Sequence, residues 1–522
     1  MQKTLSFIIL LFTVSFIFGQ ESDITKLDAN YLNWQNKDLQ ADTVIGTSVD
    51  KLYNTVLKDM KPQKTIIVAV IDAGVDINHP DLQGKIWVNE DEIPNNNIDD
   101  DKNGYVDDIH GWNFIGNKKG ENISYENLEY TRVVKAGAGA NKCYADAKKL
   151  YDAEYQKRAT EQLQLGNISK KYKNAKSIIY DFAKIDVNNI EDLQNIYSED
   201  QKIIQARDFL KFVFSIGFTE KDLDEMIKQN DEFMKYYLNQ NFTPRTIVGD
   251  DPLNFNDRNY GNNNVYGPTA NHGTGVSGLI AANRDNGIGI NGIATNVKIM
   301  AIRSTPEGDE RDKDVALAIM YAVDNGADVI NMSFGKRISP QKEFVDEAVK
   351  YAEKHGVLMV HSAGNDAENV DKTDFYPTYK YNDKTVAKNW ITVGASSSQL
   401  DENLVANFSN YGAKSVDIFS PGVNVISTDT CNTYSMHDGT SFSGPIVAGI
   451  SALILSYYPN LKPEEVIQIL MESSYKVTEP KKVFLPNVSG GKRKKTSFKK
   501  LSKSGGVVNA YNAFMLAKER DK

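Results

Sequence analysis

The chain has 522 residues, 41% hydrophobic and 25% charged, with a net charge of -9. This is ordinary globular composition, long enough for one large core and a second domain or large insertion. The acidic balance argues against nucleic-acid partners, which call for a basic patch, and two cysteines rule out a disulfide-stapled scaffold.

The chain opens with Met1-Gln2-Lys3, an apolar run from Leu5 to Phe18, and Gly19-Gln20-Glu21. One positive charge, a short apolar region and a small residue describe a secretory leader over residues 1–19. The run is shorter than the roughly 20 residues a membrane span needs. Export is therefore expected (secreted, periplasmic or at the cell surface), with no stable membrane insertion once the leader is removed. Residues 20–62 are polar with no long hydrophobic period, which fits an N-terminal arm or a short pro-segment. The first strong strand, Thr65–Ile71, is a β-branched run that ends at Asp72. An aspartate there either caps the following turn at Ala73-Gly74 or does chemistry.

The stretch Asp99-Asp-Asp101-Lys-Asn103-Gly104-Tyr105-Val-Asp107-Asp108 places oxygen donors at alternate positions, with a glycine for the sharp turn. Calcium takes six to eight hard oxygens, and the stretch resembles the start of an EF-hand-type loop. The twelfth position is His110 rather than Glu, so Asp107 or Asp108 would substitute. An acidic surface turn is the alternative. Residues 117–250 are rich in Lys, Asp, Glu, Asn and Gln, with apolar positions at helical spacing (Leu150, Tyr151, Ala153, Tyr155; Phe209, Leu210, Phe212, Val213, Phe214). A mainly helical insertion is expected, because a structureless loop of that length is unusual in a compact domain.

From His272 onward, strand and helix patterns alternate. Helices are expected at Val276–Ala282, Asp312–Asn325, Phe344–His355, Ser443–Tyr458, Glu464–Ser473 and Val508–Lys518. Strands are expected at Val297–Arg303, Asp328–Ser333, Val357–His361, Trp390–Ala395 and Val416–Ser420. Short apolar strands alternating with helices point to an α/β fold with a doubly wound, mostly parallel sheet covered on both faces. Residues 63–116 and 251–522 would form this domain. Cys143 and Cys431 fall in regions expected to be distant and read as two free thiols. The basic run Lys492–Lys495 with Lys499, Lys500 and Lys503 reads as a solvated loop, a substrate or surface contact being the sharper alternative.

Three short segments carry the chemistry. Asp72 closes a buried strand, His272 is followed by Gly-Thr-Gly and a small-residue helix, and Ser441 lies between Gly439-Thr440 and an apolar helix. Each has a bland reading, Ser441 as an N-cap for instance. Together they read as the members of a Ser-His-Asp triad. A serine hydroxyl is a poor nucleophile until an imidazole removes its proton, and the imidazole needs a carboxylate to hold its tautomer. A helix N-terminus beside Ser441 would stabilise developing negative charge. A fourth segment, His361-Ser-Ala-Gly-Asn365, places an asparagine after a strand, either as a turn residue or as an amide donor.

With these motifs the chain resembles the subtilisin-like serine proteases, or subtilases, over about residues 64–115 and 265–475, with a weaker tail at Gly505–Ala510. The resemblance implies the triad in the order Asp72, His272, Ser441, with Asn365 and the Ser441 N–H binding the oxyanion. It implies that Ser333-Phe334-Gly335 edges a cleft where an extended peptide pairs by strand addition, and that Ser362-Ala363-Gly364 lines the primary specificity pocket. A second calcium site would use Asp81, the Asn286 side chain and the carbonyls of Ile288 and Ile290. Two positions depart from the pattern: Gly275 stands where the family usually has a second histidine, and Phe442-Ser443 where it usually has Met-Ala. The stretch before the catalytic domain is short for the family's folding pro-domain. The expected function is a secreted serine endopeptidase acting on protein or peptide substrates, with structural calcium. The alternatives are a dedicated processing protease that docks one partner on its insertion, and a non-catalytic scaffold.

Overall fold

The computed structural model describes residues 23–488 and 490–521, so the expected leader lies outside the described residues. The described residues divide into two compact units, one formed by residues 23–124 together with the described residues from 244 onward, the other by residues 125–243.

The first unit is built on a nine-stranded sheet. Its strands are β1 (Ile66–Asp72), β2 (Gly111–Asn113), β3 (Val297–Arg303), β4 (Val329–Met332), β5 (Leu358–Ser362), β6 (Trp390–Ser396) and β7 (Ile418–Pro421). A hairpin of β8 (Val425–Asp429) and β9 (Thr433–His437) stands apart, and short strands β10 (Tyr475–Lys476) and β11 (Gly506–Val507) complete the sheet. The order is β10-β11-β7-β6-β5-β4-β1-β3-β2. Every pairing is parallel except β10 with β11. The fold is therefore α/β, doubly wound and mostly parallel. The strands are continuous apolar runs because both faces are covered. On β1, Val68 and Val70 enter one core with Val276, Leu279, Ile446 and Ile450, while Ala69 and Ile71 enter another with Leu317, Ile319 and Val345.

Helices α1 (Asn271–Ala281), α4 (Thr440–Tyr457), α5 (Pro463–Ser473) and α6 (Ala510–Arg520) contribute to the first core; α2 (Asp312–Asp324) and α3 (Lys342–Lys354) contribute to the second. Helix α4 is apolar enough and long enough to cross a membrane, but 94% of it is buried inside the protein. A helix apolar all round is the signature of a core position. Strand β1 has β3 on one side and β4 on the other. The winding direction reverses there, which opens a crevice at the carboxyl ends of the strands. Asp72, Ser333 and Ser362 all stand at those ends.

Strand positions differ from the expected ranges by at most a few residues, but α1 and α4 start earlier than their apolar period suggests. Their first turns are Asn271-His-Gly-Thr and Thr440-Ser-Phe-Ser. These residues are weak helix formers, so periodicity appears only after the functional residue has passed. The β8–β9 hairpin carries no glycine signal, because its turn uses Cys431 and Asn432, both at φ 59. Residues 23–62, polar in sequence, bury Trp34, Val49, Leu52 and Leu57 in the first core from short turns and the helix Val49–Thr55. The basic run also departs from a solvated loop in part. Lys503 pairs with buried Asp417 at 2.7 Å, and Phe498 and Leu501 are buried.

The second unit contains helices Glu129–Ala136, Tyr144–Ala183, Gln201–Ser215 and Glu220–Glu232. Its interior holds Leu165, Tyr172, Ile179, Leu210, Val213 and Leu223. Of the apolar positions at helical spacing, Leu210 and Val213 are buried, whereas Ala153 and Tyr155 are exposed. Among the described residues there is no disulfide, Cys143 and Cys431 included.

Candidate active site

Asp72 is the last residue of β1, and its carboxylate is buried. It reaches His272 Nδ1 with both oxygens, at 2.8 and 3.0 Å. The Ala73 N–H donates to Oδ1 at 2.7 Å and fixes the carboxylate. This contact requires the first turn of α1 to lie directly on the end of β1. A Cβ on Gly273 would come within 2.1 Å of the Gly74 carbonyl oxygen, so only glycine permits the approach. Thr274 adds a tether, accepting from the Asp76 N–H at 2.7 Å. Burial opposes protonation of His272, but the charge and hydrogen bond of Asp72, with Glu307 adding to them, outweigh it and raise its pKa above the ordinary histidine value.

Ser441 is the second residue of α4. Its carbonyl would normally accept from the residue four positions on, but that residue is Pro445, which has no N–H. The Ser333 hydroxyl supplies the missing donor at 2.8 Å. Among the described residues, Ser441 Oγ donates to the Ser333 carbonyl at 3.1 Å, and no Ser441–His272 hydrogen bond is formed. Phe442, the next residue, packs edge-on against the His272 ring at 5.4 Å. Hydrogen bonds between a nucleophile and its base are often long or loose before substrate binds.

Asn365 follows β5. Its Oδ1 accepts from the Thr440 N–H and hydroxyl, both at 2.9 Å, which caps α4 and orients the amide nitrogen. A Cβ placed on Gly439 would lie 3.6 Å from both Asn365 Nδ2 and the Ser441 N. The two donors thus flank one space. Gly439 has φ +152, a conformation that favours glycine, and leaves that space open. The remaining cleft residues converge on the same turn. Ser362 Oγ donates to the Thr440 carbonyl at 2.9 Å, and the Gly364 N–H to Thr440 Oγ1 at 3.1 Å. His361, neutral because burial pulls its pKa down to about 4, bonds the Phe334 carbonyl at 2.9 Å. It ties the Ser333–Gly335 edge to β5, a role its sequence context does not signal.

At Gly275 the space beside the glycine is already taken. A Cβ there would lie 3.1 Å from the Phe442 ring and 3.4 Å from His437 Nε2. The Phe442 and His437 rings stack at 4.2 Å. The two departures from the expected motifs, Gly275 and Phe442, are thus one packing solution.

The acidic loop is only partly arranged as expected. Carboxylate oxygens of Glu92, Asp99 and Asp101 lie within 4.8 Å of one another, and Asp99 Oδ1 is shut off from solvent with no hydrogen-bond partner. A hard, oxygen-seeking cation fits that set. Glu92 is a ligand candidate that the loop's alternate spacing leaves out, because it lies upstream in Asn89-Glu-Asp-Glu92. Hydrogen bonds within the loop engage Glu92, which accepts from the N–H groups of Asp100, Asp101 and Asp107, and the expected ligands alike. Asp107 accepts from the N–H groups of Asn96 and Asn97, and Asn103 donates to Asp101 and Asp108. Asp108 accepts from Tyr321 and Asn89, with its carboxyl pushed up to about 6 by burial. The Tyr105 ring packs against Trp112, Phe114 and Tyr321. At the second expected site, Asp81 accepts from Asn286 Nδ2 at 2.8 Å and the Ile290 N–H at 2.9 Å. The Ile288 N–H is turned to Asn286 Oδ1. These groups are gathered by hydrogen bonds that already occupy both Asp81 oxygens.

Comparison with known proteins bears on the whole domain. The chain is 42% identical over 187 residues to a thermophilic serine proteinase of Bacillus sp. strain AK1, covering 36% of this chain and 43% of that one. It is 38% identical over 198 residues to subtilisin DY of Bacillus licheniformis, covering 37% and 67%. It is 35% identical over 208 residues to the major intracellular serine protease of Bacillus subtilis strain 168, covering 39% and 61%. The matched stretches thus span from 43% to 67% of these relatives' lengths. The family model described as the subtilase family matches residues 63–506, most of the chain, so the chain belongs to the subtilase family.

Proposed function

We propose that the chain is an exported serine endopeptidase. The observation that carries this reading is the two-oxygen contact of buried Asp72 with His272, in front of a helix whose first turn bears Ser441. Ser441 Oγ attacks the substrate carbonyl and passes its proton to His272 Nε2. Asp72 keeps the other imidazole nitrogen protonated and stabilises the imidazolium. Asn365 Nδ2 and the Ser441 N–H hold the oxyanion of the tetrahedral intermediate. His272 then protonates the leaving amine, and water, deprotonated by the same imidazole, releases the acyl group from Ser441. Ser333–Gly335 pairs with an extended peptide. Export rests on the apolar run Leu5–Phe18.

Calcium bound by Glu92, Asp99 and Asp101 would screen their mutual repulsion and tie down the loop, with no part in the reaction. A second reading, a protease dedicated to one partner, is favoured by the side chains the helical unit leaves exposed, Leu163 at 72% and Tyr197 at 77%. Removing residues 125–243 separates the two: a general protease still cleaves casein, and a dedicated one loses only its partner. The central test is labelling of the purified mature protein with a serine-directed fluorophosphonate, followed by mass mapping. Label on Ser441, abolished with casein hydrolysis in Ser441→Ala, is the expected result. An unlabelled, inactive protein would favour a binding scaffold.

A further inference from the structure

We infer that Phe375 closes the specificity pocket and restricts this protease to small side chains at the residue whose carbonyl is attacked. The inference rests on the proposed function and names its substrate class.

The two cleft edges meet the nucleophile's turn from either side. Ser333 exchanges hydrogen bonds with Ser441, and Ser362 and Gly364 bond Thr440. The side chain of the residue whose carbonyl is held at Ser441 would enter between Ser333–Gly335 and Ser362–Gly364, the cleft edges that the subtilase resemblance implies. Both edges end in glycine, which would leave a broad slot. That slot is filled by one ring. A Cβ on Gly335 would lie 2.4 Å from Phe375 Cε1, and a Cβ on Gly364 would lie 2.8 Å from Phe375 Cζ. Phe375 thus touches both glycines at once.

The ring is held in place. The next residue, Tyr376, pairs with Lys336 through both backbone hydrogen bonds, at 2.8 and 2.9 Å, which docks its loop on the same cleft edge. The ring also packs against His361, with centroids 5.9 Å apart, and against the core that contains Ala363. A large side chain could enter only by expelling the ring from these contacts. Alanine or glycine needs no such change. Close packing makes a filled pocket discriminate by size, because a displaced aromatic ring loses its whole set of contacts.

The test uses the full mature protein and fluorogenic tetrapeptide amides that differ only in the residue before the cleaved bond: Ala, Leu or Phe. The alanine substrate should exceed the phenylalanine substrate in kcat/KM by on the order of 100-fold, the range one pocket achieves by size. Phe375→Ala should raise the phenylalanine-to-alanine ratio of kcat/KM at least tenfold. Fluorophosphonate titration counts competent sites, so partial misfolding does not distort the rates, and Phe375→Leu gives a milder opening should the alanine variant fail to fold. Equal cleavage of all three substrates by the unaltered protein would overturn the inference. So would an unchanged ratio in both variants at full labelling. Inactivity on every substrate with no label on Ser441 would instead overturn the protease reading, and this inference with it.

Discussion

Replacing Asp72 with asparagine probes the arrangement most directly. The carboxylate is buried, and its side chain is 3% exposed against 34% for His272. At about 4 Å, with an effective dielectric near 20, one charge pair is worth about 4 kcal/mol. Solvent on the exposed third of His272 screens this to about 3 kcal/mol, or roughly a hundredfold in rate at 1.4 kcal/mol per decade. A second loss comes from the local geometry. The Ala73 N–H already donates to Asp72 Oδ1 at 2.7 Å. In Asp72→Asn it would keep hold of the amide oxygen and turn the NH2 group toward His272. The imidazole would then accept at Nδ1 and carry its proton on Nε2, the tautomer that cannot take the serine proton. Together the two effects predict a fall in kcat of about 10³- to 10⁴-fold with little change in KM.

The pH profile supplies the decisive sign. In the native protein the pKa of His272 is raised, so activity should fall, as pH drops, at a value above that of an ordinary histidine. Without the Asp72 charge, burial is the dominant remaining influence and acts in the opposite direction, so the acid limb of the residual activity should move to lower pH. The assay is kcat/KM on a fluorogenic peptide between about pH 5 and 9, the span over which histidine titrates. A loss below tenfold, or an acid limb that stays in place, would refute the reasoning.

Four further outcomes are expected. Asn365→Ala should lower kcat by about 10²–10³-fold with KM nearly unchanged, the loss of one oxyanion donor in an enzyme of this family; melting should show a further cost of about 1 kcal/mol, because Asn365 Oδ1 also caps α4. Calcium at 100 times its Kd should stabilise the protein by about 2.7 kcal/mol, and Glu92→Gln or Asp99→Asn should abolish that increment in thermal scans with and without chelator. Trp34→Ala should cost about 3–5 kcal/mol in denaturant unfolding, because Trp34 is 1% exposed within the main core; a negligible cost would show that residues 23–62 are a dispensable segment. Lys503→Ala should destabilise by about 2–3 kcal/mol, less than for a fully buried pair because the Lys503 side chain is 36% exposed. Burial raises the Asp417 pKa against the pull of Lys503. The charged carboxylate is then the costly form, so the loss should grow as pH rises through the Asp417 pKa and shrink in acid.

Much of this protein is legible in one dimension. The apolar runs ending at Asp72 and Ser333 read as strands, and the spacing within 312–325 and 464–473 reads as helix, because buried elements must be apolar at a regular period. The segments around Asp72, His272 and Ser441 are recognisable for a related reason. Each needs local residues, such as Gly273 against the Gly74 carbonyl and Gly439 at φ +152, that have no substitutes. Long-range packing leaves no comparable trace. Nothing in the composition of residues 23–62 shows Trp34 in the core, and no periodicity announces that Glu92 joins Asp99 and Asp101. That Phe442 and His437 fill the room beside Gly275, or that Phe375 lies between Gly335 and Gly364, depends on side chains brought together from segments far apart in the chain. Local sequence determines which elements form and which chemistry is on offer. Tertiary structure alone decides what shape of substrate that chemistry can reach, because the walls of a pocket come from segments far apart in the chain.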